Sequence, residues 1–164
     1  MNNPPRVYFI ETIKGIFSVQ INASNKIQKL NFPNKKLSLH EPFFKQPDIL
    51  RQLASDLNNY FKGGNINFSK YEIELDGTDF QQLIWNKIKL IPYGSTISYG
   101  ELAQAVSSKA YQAIGSACGK NPVPIIIPCH RVMAKNNKIG GFSSGLYWKK
   151  FLLSCEQNKK MFYN

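Results

Sequence analysis

The residue pattern changes at Asp76-Gly77, and this change constrains the fold more than any other feature of the chain. Before it lie three short β-prone runs separated by turn residues, at 7–11, 16–22 and 26–32, a pattern typical of an antiparallel meander. After it, apolar residues recur at helical spacing. We therefore predict an α/β N-terminal domain with a small antiparallel sheet plus a helix (residues 1–75), followed by a mainly α-helical C-terminal domain (residues 76–164).

The first domain is predicted to carry structure and no chemistry. Apolar residues recur at helical spacing from Leu50 to Phe61, after Pro47 and before Gly63-Gly64, which predicts a helix over 46–62. A strand over 71–75 is expected to close the domain. Its one histidine, His40, has no cysteine or second histidine near it. We expect neither a metal site nor another cofactor here.

The second domain opens with strong helix-start signals. Capping boxes begin at Thr78 and at Ser98, with Gln81 and Glu101 three residues later. The second box starts a short helix, and a further helix is predicted over 109–118. Two short helices joined by a tight turn indicate a helix-turn-helix, although most such pairs are packing units, and both interpretations stay open. Small residues in the second helix allow close approach of another helix or of a DNA backbone.

Charge favours a polyanionic partner. The 164 residues hold 21 Lys and Arg against 10 Asp and Glu, a formal net charge of +11, and 43% of the side chains are hydrophobic, enough for a folded core. From residue 109 onward nine residues are basic and one, Glu156, is acidic. The alternative is a solvated lysine-rich surface.

No leader-like segment and no run near ~18 apolar residues is present, so we expect a soluble, cytoplasmic protein, or a nuclear one in a eukaryote.

The segment 121–132 indicates nucleophilic chemistry. Three prolines between 122 and 128 impose a rigid path on Cys129, and His130 and Arg131 follow it directly. A thiolate is a strong nucleophile, and nearby basic groups are expected to lower its pKa. The alternative is a buried, inert cysteine. The other two cysteines, Cys118 and Cys155, have no adjacent base and lie too far apart for a CxxC pair.

The sequence Pro-Cys-His-Arg-Val at 128–132 resembles the active-site signature of the O6-alkylguanine-DNA alkyltransferases, also called methylated-DNA–protein-cysteine methyltransferases. The segments 77–81, 91–94, 98–103, 121–124 and 140–143 match that family in order and spacing, so the resemblance covers about 76–156. It implies DNA repair by irreversible, single-turnover transfer of a methyl or other alkyl group from O6-alkylguanine to the protein. No cofactor is implied.

The resemblance also implies roles for single residues. Cys129 corresponds to the alkyl acceptor, His130 to the base that deprotonates it through a water, and Glu156 to the carboxylate that orients the histidine. Asn121 corresponds to the residue that braces the active-site turn. Tyr99 corresponds to the tyrosine that contacts the flipped guanine and donates a proton toward its N3.

Further residues are expected to bind the base and the duplex. The carbonyls of Cys129 and Val132 would receive the guanine amine, Ser143 would lie over O6, and Phe142 would line the pocket. The partner implied is double-stranded DNA containing O6-alkylguanine, entered through the minor groove by a monomer. Expected DNA-binding residues are Tyr99, Lys109, Gln112, Ala113, Gly115 and Arg131, of which Arg131 is also expected to act structurally behind the cysteine.

The chain departs from the family pattern at several positions. Gln112 stands where the family usually has an arginine that fills the gap left by the flipped base, and Tyr111 is a candidate to share that task unless it is a core contact. Phe142 replaces a common tyrosine and Ser144 a common glycine. The N-terminal half lacks the zinc ligands of some members.

Two other classes of function stay open, a non-catalytic lesion-binding protein and a helix-turn-helix regulator. A cysteine hydrolase is disfavoured because its acyl-enzyme must turn over.

Overall fold

A computed structural model describes residues 5–34 and 46–157 of the chain. It begins with the predicted meander, whose strands lie in the order β1-β2-β3 with both pairs antiparallel. The strands are β1 (Arg6–Thr12), β2 (Gly15–Ile21) and β3 (Ile27–Asn31). Alternate residues such as Phe17 and Val19 are buried while their neighbours are less so, because successive side chains point to opposite faces of a sheet. The prediction of an antiparallel meander is confirmed.

Helix α1 (Asp48–Phe61) packs against β1, and the predicted helix over 46–62 is confirmed to within two residues at each end. Its buried stripe runs through Leu50, Leu53 and Leu57 to Tyr60, the spacing of one helical face. The helix ends before Gly63, whose φ of +92° lies in the left-handed region that glycine adopts at little cost.

The predicted strand over 71–75 is wrong. A single 3-10 turn, Phe68–Lys70, precedes this segment, which then pairs with β3 only at the parallel bridge between Ile27 and Ile73. The reason is competition for the free edge of β3, because the amide of Leu30 on that edge donates to the carbonyl of Pro122 at 2.9 Å. The sheet is thereby joined directly to the segment that precedes the nucleophile.

Four helices follow: α2 (Asp79–Lys89), α3 (Tyr99–Ala105), α4 (Tyr111–Gly119) and α5 (Leu146–Gln157). Both predicted capping boxes are formed, with Thr78 and Ser98 each exchanging hydrogen bonds with the residue three positions later. Helix α4 begins two residues later than predicted, because the Ser108 hydroxyl accepts from the amide of Ala110, whose ψ of 62° is not helical. None of the helices in 5–34 and 46–157 has the length and apolarity to cross a bilayer.

A two-residue parallel pair places α3 beside residues 121–132, the segment that carries Cys129 and is called the nucleophile segment below. Strand β4 (Ile97–Ser98) pairs with β5 (Val132–Met133), with Ile97 opposite Val132. The turn Cys129–Arg131, a 3-10 helix, leads directly into β5, whereas a later 3-10 turn, Lys135–Asn137, lies away from the core. Tyr99, the first residue of α3, is thus held close to the segment that carries Cys129.

Aromatic rings join the two halves of the chain. The Trp148 ring of α5 lies 4.5 Å from that of Phe32 and 5.8 Å from that of Phe17, centroid to centroid. Phe61 of α1 packs against Phe151 of α5 at 5.6 Å. Helix α5 therefore packs its apolar face against the N-terminal sheet and helix, and the same helix presents Lys149 and Glu156 to the site described next.

Candidate active site

The nucleophile segment is held by a tight turn and by one amide side chain. Ile125 has a φ of +73°, which is strained for a β-branched residue, and the bond from the Ile127 amide to the carbonyl of Val123 at 2.9 Å closes the turn around it. The Asn121 Nδ2 donates to the Ile127 carbonyl at 2.8 Å and to the Sγ of Cys129 at 3.1 Å. Asn121 thus braces the turn and contacts the thiol.

The Cys129 thiol is buried, with 5% of the residue exposed. Burial raises its pKa above the usual value, and the Asn121 hydrogen bond and the charge of Lys149 oppose this effect without reversing it. Neighbouring groups do lower this pKa, as expected from the sequence, but desolvation of the buried thiolate outweighs them and the net shift is upward. The thiol needs a base to react at neutral pH.

A buried base and carboxylate lie next to this turn. The His130 Nε2 is 2.7 Å from the Oε1 of Glu156, and both side chains are fully buried. Burial alone would raise the pKa of Glu156, but hydrogen bonds from His130 and Arg131 outweigh it and lower the pKa to about 2. Because an ionised carboxylate only accepts hydrogen bonds, Nε2 carries the proton.

The other ring nitrogen of His130 is therefore the basic one. Burial lowers the pKa of His130 despite the nearby carboxylate, so the imidazole is neutral at neutral pH. Its Nδ1 is the one buried side-chain nitrogen or oxygen without a hydrogen-bond partner in residues 5–34 and 46–157. A buried polar atom without a protein partner is rare, and it either binds a water or an ion or serves a catalytic role. Here it leaves a lone pair on the residue next to Cys129.

Arg131 is structural. Its Nε and Nη2 donate to Glu156 at 3.0 and 2.9 Å, and its Nη1 donates to the carbonyl of Ile91 at 2.6 Å. The side chain is buried. Its assignment as a DNA-binding residue is therefore corrected, because the guanidinium is used within the protein, whereas the expected structural position behind the cysteine agrees with these contacts.

Tyr60 of α1 also reaches this site, which sequence reasoning missed. Its hydroxyl donates to the Oε1 of Glu156 at 2.6 Å and lies 3.2 Å from the Nε2 of His130. The N-terminal half, which was expected to carry no chemistry, thus contributes a side chain that contacts the site. The residue occupies the apolar stripe of α1, so its spacing predicts only a core side chain.

Lys149 is a second residue that sequence reasoning missed. It is completely buried, and its Nζ donates to the carbonyls of Val132 at 2.7 Å and Gly141 at 3.3 Å. Burial lowers its pKa, and the thiols of Cys129 and Cys118 oppose that effect. The Val132 carbonyl, expected to receive the guanine amine, has a second lone pair available. Lys149 therefore links the backbone at Val132 to the backbone at Gly141.

Of the residues expected to bind the base, Tyr99 lies near the thiol of Cys129. Tyr99 is half-buried, and burial together with the thiols of Cys118 and Cys129 raises its pKa to about 12, so its phenol stays protonated. Phe142 is half-buried, with its ring 6.0 Å from that of Phe32, and Ser143 is exposed. A cleft of about 710 Å³ extends from Asn121 past Ser143 toward β3. The individual roles of these residues remain predictions.

Helix α4 exposes the face that was expected to meet DNA. Gln112 and Ala113 are exposed, and a Cβ built on Gly115 would meet no atom within 4 Å. Tyr111 is 58% exposed, which rules out the core contact considered for it. The opposite face packs on α2, where the Nε1 of Trp85 donates to the carbonyl of Ala117 at 2.8 Å.

Lys109 lies at the exposed start of this region, next to the turn that joins α3 and α4. Elsewhere, no group of three or more His, Cys, Asp or Glu side chains within the described ranges is arranged to hold a metal ion. The three cysteines are free and buried. His40 lies outside the described residues, so the expectation of no metal stays a prediction.

Comparison with known proteins identifies relatives of the chain. Residues 79–158 match the family described as 6-O-methylguanine DNA methyltransferase, DNA binding domain. A probable methylated-DNA–protein-cysteine methyltransferase of Acanthamoeba polyphaga mimivirus is 47% identical over 109 residues, covering 66% of this chain and 72% of the relative. The methylated-DNA–protein-cysteine methyltransferase of Methanosarcina acetivorans is 39% identical over 125 residues, covering 74% and 78%.

Solved structures agree with the sequence relatives. The crystal structure of Mycobacterium tuberculosis OGT in complex with DNA superposes with a TM-score of 0.77 at 33% identity, covering 92% of each chain. The structure of an O6-methylguanine DNA methyltransferase from Methanococcus jannaschii gives a TM-score of 0.70 at 25% identity, covering 96% of this chain and 97% of the other. Similarity over nearly the whole length includes the N-terminal sheet, which the resemblance in sequence did not cover. The chain belongs to the 6-O-methylguanine DNA methyltransferase family, that of the methylated-DNA–protein-cysteine methyltransferases.

Proposed function

We propose that this protein repairs DNA by direct reversal, moving a methyl or other alkyl group from the O6 of guanine to the Sγ of Cys129. Its relatives are named for this transfer. One observation carries the assignment to these atoms. The ring of His130, the residue that follows the buried Cys129, has Nε2 held by Glu156 and Nδ1 without a partner in the described part of the chain.

The reaction removes a proton from the Cys129 thiol and then adds an alkyl group to its sulfur. The Nδ1 of His130 takes the thiol proton through a water molecule, and Glu156 stabilises the imidazolium that results. The Sγ of Cys129 then attacks the alkyl carbon, forming an S–C bond as the C–O6 bond breaks. The electron pair of that bond passes to the purine, and Tyr99 donates a proton toward N3, which makes guanine a better leaving group.

The product keeps the protein from acting twice. A thioether on Cys129 is stable, and none of the side chains placed around it in the described residues can break a C–S bond. The protein is therefore consumed one for one with the lesion. This stoichiometry distinguishes it from a cysteine hydrolase, whose intermediate must be released.

Reaction requires the base to leave the duplex. The O6 of a paired guanine is not open to attack by a buried thiol, so the nucleotide must be extruded at a cost of a few kcal/mol. We propose that α3 and α4 act as the helix-turn-helix and that α4 enters the minor groove. Its exposed Ala113 and the open space at Gly115 suit that narrow approach.

We also propose how this activity is distributed along the chain. Residues 76–164 form the DNA-binding and alkyltransferase domain, residues 1–75 form the α/β domain packed against it, and the protein acts as a monomer. Because cellular DNA is the substrate, we expect it in the cytoplasm, or in the nucleus of a eukaryote.

The test is the intact mass after incubation with a duplex containing O6-methylguanine. We expect a gain of one methyl group, located by peptide mapping on Cys129, and repaired guanine that stops at one per protein. Cys129→Ser should bind the duplex and gain nothing. Product that continues to rise beyond one per protein would refute single turnover, and binding by the wild-type protein without any mass gain would favour a lesion-binding protein instead.

A further inference from the structure

Tyr60 brings a phenol from the N-terminal half into the catalytic network. The residue is 1% exposed, and its ring packs edge-on against Phe68 at 5.5 Å and Tyr93 at 6.2 Å, centroid to centroid. These rings fix the direction of its hydroxyl, which donates to the Oε1 of Glu156 at 2.6 Å. The same oxygen accepts the Nε2 proton of His130 at 2.7 Å.

We propose that Tyr60 is a positioning residue for alkyl transfer, whose hydroxyl shares one carboxylate oxygen of Glu156 with His130 and thereby sets the basicity and the tautomer of the imidazole. The inference rests on the proposed function, because it concerns the base in that reaction. It assigns a part in the chemistry to α1, a helix outside the segment that carries the nucleophile.

The hydrogen-bond inventory fixes which group donates. A phenol has one proton, and an ionised carboxylate has none to give, so the short Tyr60–Glu156 contact places the phenol proton on Oε1. The Nε2 proton of His130 then faces two acceptors, the carboxylate oxygen at 2.7 Å and the phenol oxygen at 3.2 Å. Both hold the ring proton on Nε2, which leaves Nδ1 unprotonated.

The same contact moderates the strength of the base. A carboxylate that already accepts the Tyr60 and Arg131 donors attracts an imidazolium less strongly than a bare one. His130 therefore stays neutral and able to accept the thiol proton at a lower pH than it otherwise would. The titratable and charged groups that face this pair are Tyr60 of α1, Tyr93 after α2, Cys129 and Arg131 of the nucleophile turn, and Lys149 and Cys155 of α5.

A purely structural role for Tyr60 predicts a different outcome. A residue that only fills space would change stability when its hydroxyl is removed, and it would leave the pH dependence of transfer where it was. A residue that sets the proton affinity of His130 moves the acid limb of the pH–rate profile. A pH profile of the transfer rate therefore distinguishes a structural role of Tyr60 from a positioning role, whereas a rate measured at one pH does not.

The experiment compares Tyr60→Phe with a matched control, Tyr71→Phe. Tyr71 is buried in the same half, its hydroxyl donates to the carboxylate of Asp56 at 2.6 Å, and its ring lies 6.2 Å from that of Phe68. Each variant loses one phenol–carboxylate hydrogen bond, but only Tyr60 touches the catalytic pair. Single-turnover transfer from an O6-methylguanine duplex is measured between pH 5 and 9, at a temperature where circular dichroism shows all proteins folded.

We expect the acid limb of Tyr60→Phe to move to higher pH by about 0.5–1 unit, the size of effect that one hydrogen bond to a titrating pair produces. On the limb this is a loss of about 3–10-fold in rate, and the high-pH plateau should change little. Tyr71→Phe should keep the wild-type profile. Superimposable limbs for the two variants, or a limb that moves to lower pH in Tyr60→Phe, overturn the inference.

A second substitution covers a Phe variant that does not fold. Site-specific replacement of Tyr60 by 3-fluorotyrosine keeps the ring and makes the hydroxyl a stronger donor, so the limb should move to lower pH. An unchanged limb there overturns the inference as well. A wild-type protein that never gains alkyl mass is a different failure, because it removes the proposed function and this inference with it.

Discussion

Replacing Glu156 by glutamine should lower the free energy of unfolding of this protein by more than a typical single substitution does. The carboxylate accepts from the Tyr60 hydroxyl, from His130, from the Arg131 guanidinium and, through Oε2, from the amide of Gly94 at 3.0 Å. A glutamine of the same shape offers one acceptor oxygen, and its amide nitrogen turns toward groups that are themselves donors. The buried Arg131 also loses its counter-charge.

Two independent routes give the same magnitude. The pKa of Glu156 falls from 4.5 to about 2 in the folded protein, which at 1.36 kcal/mol for each pKa unit corresponds to about 3 kcal/mol. Removing one partner of a buried ion pair typically costs about 3–5 kcal/mol. We therefore expect a loss of about 3–4 kcal/mol at pH 7, a large part of the ~5–15 kcal/mol that stabilises a typical domain.

The assay is urea unfolding of both proteins across pH. Because the folded pKa is depressed, the contribution of Glu156 is complete above its unfolded value of 4.5 and is lost as pH falls toward about 2. The gap between wild type and Glu156→Gln should therefore be full at pH 7 and narrow steadily below pH 4.5.

Glu101→Gln supplies the control for this experiment. Glu101 is an exposed carboxylate that caps α3, and glutamine also serves in a capping box, so its substitution should change stability little. A Glu156→Gln protein within about 1 kcal/mol of wild type at pH 7, or a gap that keeps its size at pH 3, would refute the reasoning.

Three further predictions concern single residues. Lys149→Met removes the cation that counteracts the raised pKa of Cys129, so the pKa of the thiol should rise further and single-turnover transfer at pH 7 should slow; an unchanged rate would contradict this. Gly115→Ala should raise the free energy of unfolding by up to about 1 kcal/mol, since nothing opposes its Cβ, and yet weaken binding in a duplex titration; tighter or equal binding argues against minor-groove entry at this helix. Gln112→Arg should speed transfer from duplex DNA more than from free O6-benzylguanine, which needs no flipping. Equal effects on the two substrates would show that residue 112 does not fill the gap left by the flipped base.

Local signals in the sequence were enough to predict most helices and the first sheet. The capping boxes at Thr78 and Ser98 are formed, because a cap needs only residues three positions apart. The strand expected over 71–75 failed because its partner edge on β3 is shared with Pro122, which lies far away in the chain. The pair β4–β5 is two residues long and has no pattern to detect.

The residues of the candidate site also differ in whether the sequence could predict them. Cys129 and His130 are adjacent in sequence, and the resemblance to the family pointed to Glu156 and Asn121. Tyr60 bonds to a residue 96 positions away, so nothing in its own neighbourhood distinguishes it from the leucines of its helix. The raised pKa of Cys129 was missed for a related reason, because burial depends on tertiary packing that charge counting along the chain does not report.

The stacking of Trp148 against Phe32 and Phe17 bears on how this family can be recombined. A chimera that takes its first 75 residues from a relative imports a new surface for α5 to rest on, and α5 also holds Lys149 and Glu156. If the imported rings do not fit the indole, the helix shifts, and the carboxylate of Glu156 moves away from the imidazole of His130 to which it is hydrogen-bonded. The N-terminal half is thus not an interchangeable module, and successful grafts should be those that preserve the aromatic partners of Trp148.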